Sequence, residues 1–142
     1  MGEAYLFRIS HKEYGKSIIS ALEIIADSAN HPLLFHCGAG KDRSGLVAAF
    51  TLSVLGVTED DIIADYILSA RHMRKLVALM LNEPNIPDDI KNLPAWSWEA
   101  EPEAMASLLS YLKREFGSAQ GYLEACGTEP ALFDRLEKTL LI

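Results

Sequence analysis

The residues of this chain best suited to chemistry lie in one segment, His36-Cys37-Gly38-Ala39-Gly40-Lys41-Asp42-Arg43-Ser44-Gly45. Gly38 and Gly40 let the backbone curl until successive amides, those of Ala39 and Lys41 among them, converge on one point, forming a concave anion nest. If a helix opens just after it, unpaired amides and the helix dipole add positive potential there. A tetrahedral dianion is the natural guest. Cys37 stands at the base of the nest, where the same amides, the dipole and Arg43 favour the thiolate and make it a nucleophile at neutral pH. Five residues separate Cys37 from Arg43, room for the loop to turn back so that the guanidinium faces the held anion. There it can grip two oxygens at once, which a lysine ammonium does less well. Ser44 can donate to the thiolate when it departs, and His36 reads as a brace for the loop through a backbone hydrogen bond. The chemistry these residues suit is phosphoryl transfer to sulfur.

Elements on either side must hold this segment in place. Leu33-Leu34-Phe35-His36 is a short apolar run between a proline and a glycine-rich loop, which predicts a buried strand. From Ser44 to Leu55 the chain is apolar on nearly every side, as in a core helix, with Gly56 ending it. Ahead of the strand, Ile18, Ile19, Leu22, Ile25 and Ala26 recur at helical spacing up to Asn30-His31-Pro32, with a possible bend at Gly15. Thr58 and Asp61 form a capping arrangement for a helix over 59–69, followed by another to Asn82. Four prolines between 84 and 102 mark a long loop, in which Asp88 to Leu93 could form a turn of helix. Leu108, Leu109, Leu112 and Phe116 then predict a helix closed by Gly117, and Leu132, Leu136 and Leu140 the last one, with 119–125 helical between them. The expected organisation is one domain over 1–142: a helix to 30, strand and phosphate loop at 33–45, core helices at 46–82, a proline-rich loop at 83–102, and C-terminal helices at 103–142.

The chain has 142 residues, 49% of them hydrophobic, and a net charge of -7. That content builds a packed core, and the charge repels nucleic acid and anionic lipid, so affinity for a phosphorylated ligand has to be local. No run approaches the roughly 20 apolar residues of a membrane span, and the first thirty residues do not read as a secretion signal. Two distant cysteines make neither a disulfide framework nor a zinc site, so a soluble protein of the reducing cytoplasm is expected, with no metal or cofactor needed.

The loop carries the Cys-x5-Arg-Ser/Thr signature of the protein tyrosine phosphatase superfamily. More narrowly, His-Cys-x-Ala-Gly-Lys-Asp-Arg-Ser/Thr-Gly resembles the bacterial tyrosine phosphatases with Lys-Asp before the arginine, some of which also accept phosphoinositides. Leu-Gly-Val at 55–57, Ala-Asp-Tyr at 64–66 and Phe-Gly-Ser-Ala-Gln-Gly-Tyr-Leu at 116–123 are similar as well, so the resemblance covers roughly 30–140. It implies phosphotyrosine hydrolysis through a cysteinyl phosphate, on a phosphorylated protein or a phosphoinositide. Members of that family carry further chain ahead of the helix that precedes the strand, supplying most of a parallel sheet, and this chain begins at that helix. The fold expected is therefore α/β, helix-rich and truncated, with one clear strand leading into the phosphate loop and about six helices. A lone strand leaves its backbone unpaired, which implies either pairing between two chains or an unusually helix-rich minimal fold, with a homodimer, its elements exchanged or not, the favoured expectation.

Several roles stay open at this level. The superfamily's general acid usually sits on a separate loop, so Asp42 is either the acid itself or a carboxylate that holds Lys41 or Arg43; Asp88 and Asp89 are rivals. Lys41 either contacts substrate phosphate or raises the local potential. Arg71, His72, Arg74 and Lys75 form either a positive rim or a solvated helix face, and Trp96 and Trp98 either line a cleft or pin the loop. A Walker-type nucleotide loop is excluded by Phe35 and Asp42 at positions that need glycine and Ser or Thr. Arsenate reduction would need resolving thiols, for which only Cys126 is available. A catalytically idle module that captures phosphorylated ligands is the alternative function.

Overall fold

The computed structural model describes residues 2–141, excepting the side chains of 95 and 96. Among them are eight α-helices: α1 (Gly2–Ile9), α2 (Lys12–Ile25), α3 (Asp42–Val54), α4 (Glu59–Leu81), α5 (Asp88–Lys91), α6 (Pro102–Phe116), α7 (Ala119–Ala125) and α8 (Ala131–Leu140). Two single turns of 3-10 helix occupy Ser28–Asn30 and Ala95–Trp98. The centre of the bundle is α3, whose Leu46, Ala49, Phe50 and Val54 are buried and which packs against α2, α4, α7 and α8. A second line of packing joins α6 to α1, α4 and α7.

The cap chemistry explains most boundaries. Thr58 accepts from the Asp61 amide and donates to the Asp61 carboxylate, closing the start of α4 reciprocally. Gly117 ends α6 in the left-handed conformation, φ 77°, and Ser118 caps α7 through the Gly121 amide. Where one amphipathic helix was expected up to residue 30, the chain breaks at Ser10–His11 into α1 and α2. Gly15 does not bend α2; a Cβ there would overlap Cys126 Sγ and crowd the Tyr122 hydroxyl, so glycine is what lets α2 approach α7. The helices expected at 59–69 and beyond form one continuous α4 of 23 residues, since no Gly or Pro interrupts that stretch.

The expected α/β class does not hold, because the fold is helical and no strand occurs among the described residues. Leu33 to His36, expected as a buried strand, runs without regular structure, and Leu34 is 88% exposed with Leu33 and Phe35 also on the surface. An apolar run becomes a buried strand only if a second strand pairs with it and a layer covers it, and the described residues provide neither. The segment is fixed instead at its start: Asn30 Nδ2 donates to Ile24 O and His31 Nε2 to Ile25 O, at 3.0 and 2.8 Å.

Candidate active site

Gly40, with φ 66°, turns the chain into the first residue of α3, which is the strand-less equivalent of the junction expected from sequence. At Gly38 extra bulk would find open space and φ lies outside the left-handed region, so of the two loop glycines Gly40 is the one whose conformation calls for glycine. Cys37 is half-buried in the concavity. Burial alone would push its thiol up, but the Ser44 hydroxyl and the amides of Ser44, Gly40 and Lys41 outweigh it and hold the pKa down at about 6. Ser44 Oγ is buried and has no hydrogen-bond partner among the described residues, which leaves its hydroxyl available to the sulfur. His36 Nδ1 lies 3.2 Å from Cys37 O and, facing a carbonyl, must be the donor.

Arg43 is exposed and borders a shallow cavity of about 250 Å³ between α2 and α3, with Tyr14, Ser17, Ile18 and Val47. Ala39, in the loop, is half-buried. Lys41 differs from the other loop residues, being fully buried. Its ammonium donates to Glu99 O at 2.9 Å and pairs with Asp42 Oδ1 at 3.1 Å. Lys41 therefore offers the nest its amide, while its charge is turned inward. Asp42 Oδ1 also accepts from the Tyr5 hydroxyl at 2.8 Å, and Tyr5 and Tyr66 hydroxyls meet at 2.7 Å. Neither tyrosine was singled out from sequence. Tyr66 lies within the family-like Ala-Asp-Tyr, which was the only available signal for it; Tyr5, far upstream, had none.

Of the remaining candidates, Arg74 and Trp98 border this network, sharing a cavity with Glu99 and Glu101. Asp88 is exposed at the start of α5 and pairs with Lys91, and Asp89 is exposed next to it. Arg71, His72, Arg74 and Lys75 lie on the exposed side of α4. Arg74 and Trp98 line a cavity of about 600 Å³ with Met73, Val77 and Ala100, whereas the Trp96 side chain lies outside the described residues. Cys126 is buried against Gly15 of α2, beside Tyr122. Among the described residues no three His, Cys, Asp or Glu side chains gather closely enough to hold a metal ion, and no helix is long and apolar enough to cross a membrane.

A tyrosine-protein phosphatase of Nostoc commune is 27% identical over 99% of this chain and 49% of its own length. The triple specificity protein phosphatase PtpB of Mycobacterium tuberculosis is 30% identical over 80% of this chain and 45% of its own. A putative tyrosine-protein phosphatase of Cupriavidus necator is 60% identical over 37 residues, 26% of this chain and 14% of its own. The chain thus spans about half the length, or less, of the curated relatives it matches. The model of the tyrosine phosphatase family matches residues 1–142, and the chain belongs to that family.

Proposed function

We propose that this chain is a phosphomonoester hydrolase, a protein-tyrosine phosphatase that works through a cysteinyl-phosphate intermediate. The observation that carries the reading is Cys37 with its pKa held at about 6 by the Ser44 hydroxyl and three loop amides against the opposing effect of burial. Those amides then serve the phosphate oxygens. Cys37 Sγ attacks phosphorus, the P–O ester bond breaks, and the electron pair leaves on the ester oxygen. Arg43, exposed and free to swing onto the dianion, clamps two non-bridging oxygens as charge moves. Water then attacks phosphorus, the S–P bond breaks, and Ser44 donates to the departing thiolate. Of the two Asp42 oxygens, Oδ1 is engaged by Tyr5 and Lys41, so a proton delivered to the ester oxygen would have to come from Oδ2. That same engagement favours a second reading of Asp42 as the counter-ion of buried Lys41. An aryl oxygen, with a parent pKa of about 10, leaves with little help, so aryl esters are the favoured substrates whichever reading holds.

Phosphotyrosine proteins are the proposed physiological class, with phosphoinositides a second class that presents the same dianion, in a cytoplasmic setting. A homodimer is proposed through the exposed run Leu33 to Phe35, whose apolar side chains and unpaired backbone suit a second copy. The test of activity is hydrolysis of p-nitrophenyl phosphate in the presence of a chelator. The wild type should turn over and Cys37→Ser should not, and equal rates for the two would reject the proposal.

A further inference from the structure

The loop's inner side is tied to two helices that contribute nothing to the anion nest itself. Tyr5 from α1 and Tyr66 from α4 are both buried, and their hydroxyls form a chain that ends on Asp42 Oδ1, the same oxygen that neutralises Lys41. A carboxylate only accepts, so the single proton of Tyr5 is committed to Asp42, and Tyr66 must be the donor in the bond between the tyrosines. Burial, with the Asp42 charge adding to it, pushes the Tyr5 phenol far above its ordinary value, so it remains a donor throughout the working range of the site. Tyr66 is likewise raised, by burial and by the charges of Asp42 and Glu101, the latter at the start of α6.

We propose that Tyr5 is a positioning residue of the phosphate loop: its hydroxyl anchors Asp42 at the first turn of α3 and thereby fixes the Gly40, Lys41 and Ser44 amides facing Cys37. The groups that face this anchor are Lys41 and Asp42 on the loop, Tyr66 on α4 and Glu101 beside α6, with Glu99 contributing its carbonyl to Lys41. Lys41, fully buried, has Asp42 as its counter-ion and Glu99 O as its other partner. When the Tyr5 hydroxyl is lost, the carboxylate keeps only the lysine on that oxygen and gains freedom to turn toward solvent. The backbone of 40–44 then loosens where its amides must converge. Among the described residues the Tyr5 hydroxyl bonds to Asp42 and Tyr66 and not to Cys37, so its effect on the sulfur passes through this anchor.

The role rests on the reading of Cys37 as the nucleophile but can be measured without turnover. Iodoacetamide alkylation of Cys37, followed by mass spectrometry against pH, reports the thiolate directly. In Tyr5→Phe, which keeps the ring and its packing, the midpoint should rise by about half a unit, making alkylation at pH 5 about threefold slower. Tyr66→Phe, which leaves the Tyr5–Asp42 bond in place, should slow it less, about 1.5-fold. With turnover measured in parallel, kcat should fall in Tyr5→Phe more than KM changes. A folded Tyr5→Phe whose alkylation profile coincides with wild type overturns the proposal, even if its melting temperature drops, because a merely structural tyrosine predicts that result. Should Tyr5→Phe melt below the assay temperature, an unchanged profile in Asp42→Ala, which removes the acceptor of the Tyr5 hydroxyl, overturns it instead. A wild type that alkylates with a midpoint near 6 yet hydrolyses nothing contradicts the phosphatase reading and leaves the positioning role standing.

Discussion

Cys37 is a thiol whose surroundings favour its anion, and this has two consequences of definite sign. The folded pKa, about 6, lies below the ordinary thiol value of 9.0, so the thiolate contributes stability that is complete above the unfolded range and is lost as pH falls through about 6. Reactivity follows the same curve: alkylation of Cys37 should climb with a midpoint near 6, and Ser44→Ala, which removes the hydroxyl donor, should shift that midpoint upward, as a pH series of labelling rates would show. A midpoint unchanged by Ser44→Ala would contradict the role given to that hydroxyl. That Cys37 and Ser44 lie close was legible in sequence because the loop is written in ten consecutive residues, whereas Arg43 lies exposed at the cavity between α2 and α3. The burial of Lys41 was not legible, since nothing in its neighbours announces that it points inward. Its partner Glu99 O is 58 positions away, and Tyr5 reaches Asp42 across 37. Contacts that cross the chain in this way are set by how helices dock and leave no local pattern.

The elements around the loop were predicted best where their signals were covalently close. Gly117 and the Thr58–Asp61 pair stop and start helices as their chemistry requires, and Thr58→Ala should lower stability by about 1 kcal/mol in thermal or denaturant unfolding. The failure at Leu33 to Phe35 has a different origin. Apolar composition reports that a segment would be better covered, and pairing decides whether it becomes a strand; within the described residues nothing pairs with it. Gly15 repeats the lesson in reverse, since it looked like a bend and is a contact. Gly15→Ala should destabilise the protein by about 1–3 kcal/mol through its overlap with Cys126 and Tyr122, with little effect on Cys37 labelling. A stability equal to wild type would show that α2 and α7 can separate at low cost.

At the scale of the molecule, a helical bundle buries one side of the phosphate loop and leaves an apolar flank, with Leu34 at 88% exposure, on its other side. Native mass measurement should find a dimer that Leu34→Glu dissociates without unfolding the bundle; a monomeric wild type would remove the basis for the pairing. The net charge of -7 makes the loop a local exception on an acidic surface, so phosphate affinity should depend on Arg43 and the amides far more than on ionic strength. The proposed reaction places a covalent step at a single sulfur. Acid quenching of the wild type during turnover of an aryl phosphate, followed by mass analysis of the peptide containing Cys37, should reveal one added phosphoryl group that is absent from Cys37→Ser. Turnover with no such adduct, or an adduct that persists in Cys37→Ser, would contradict the account.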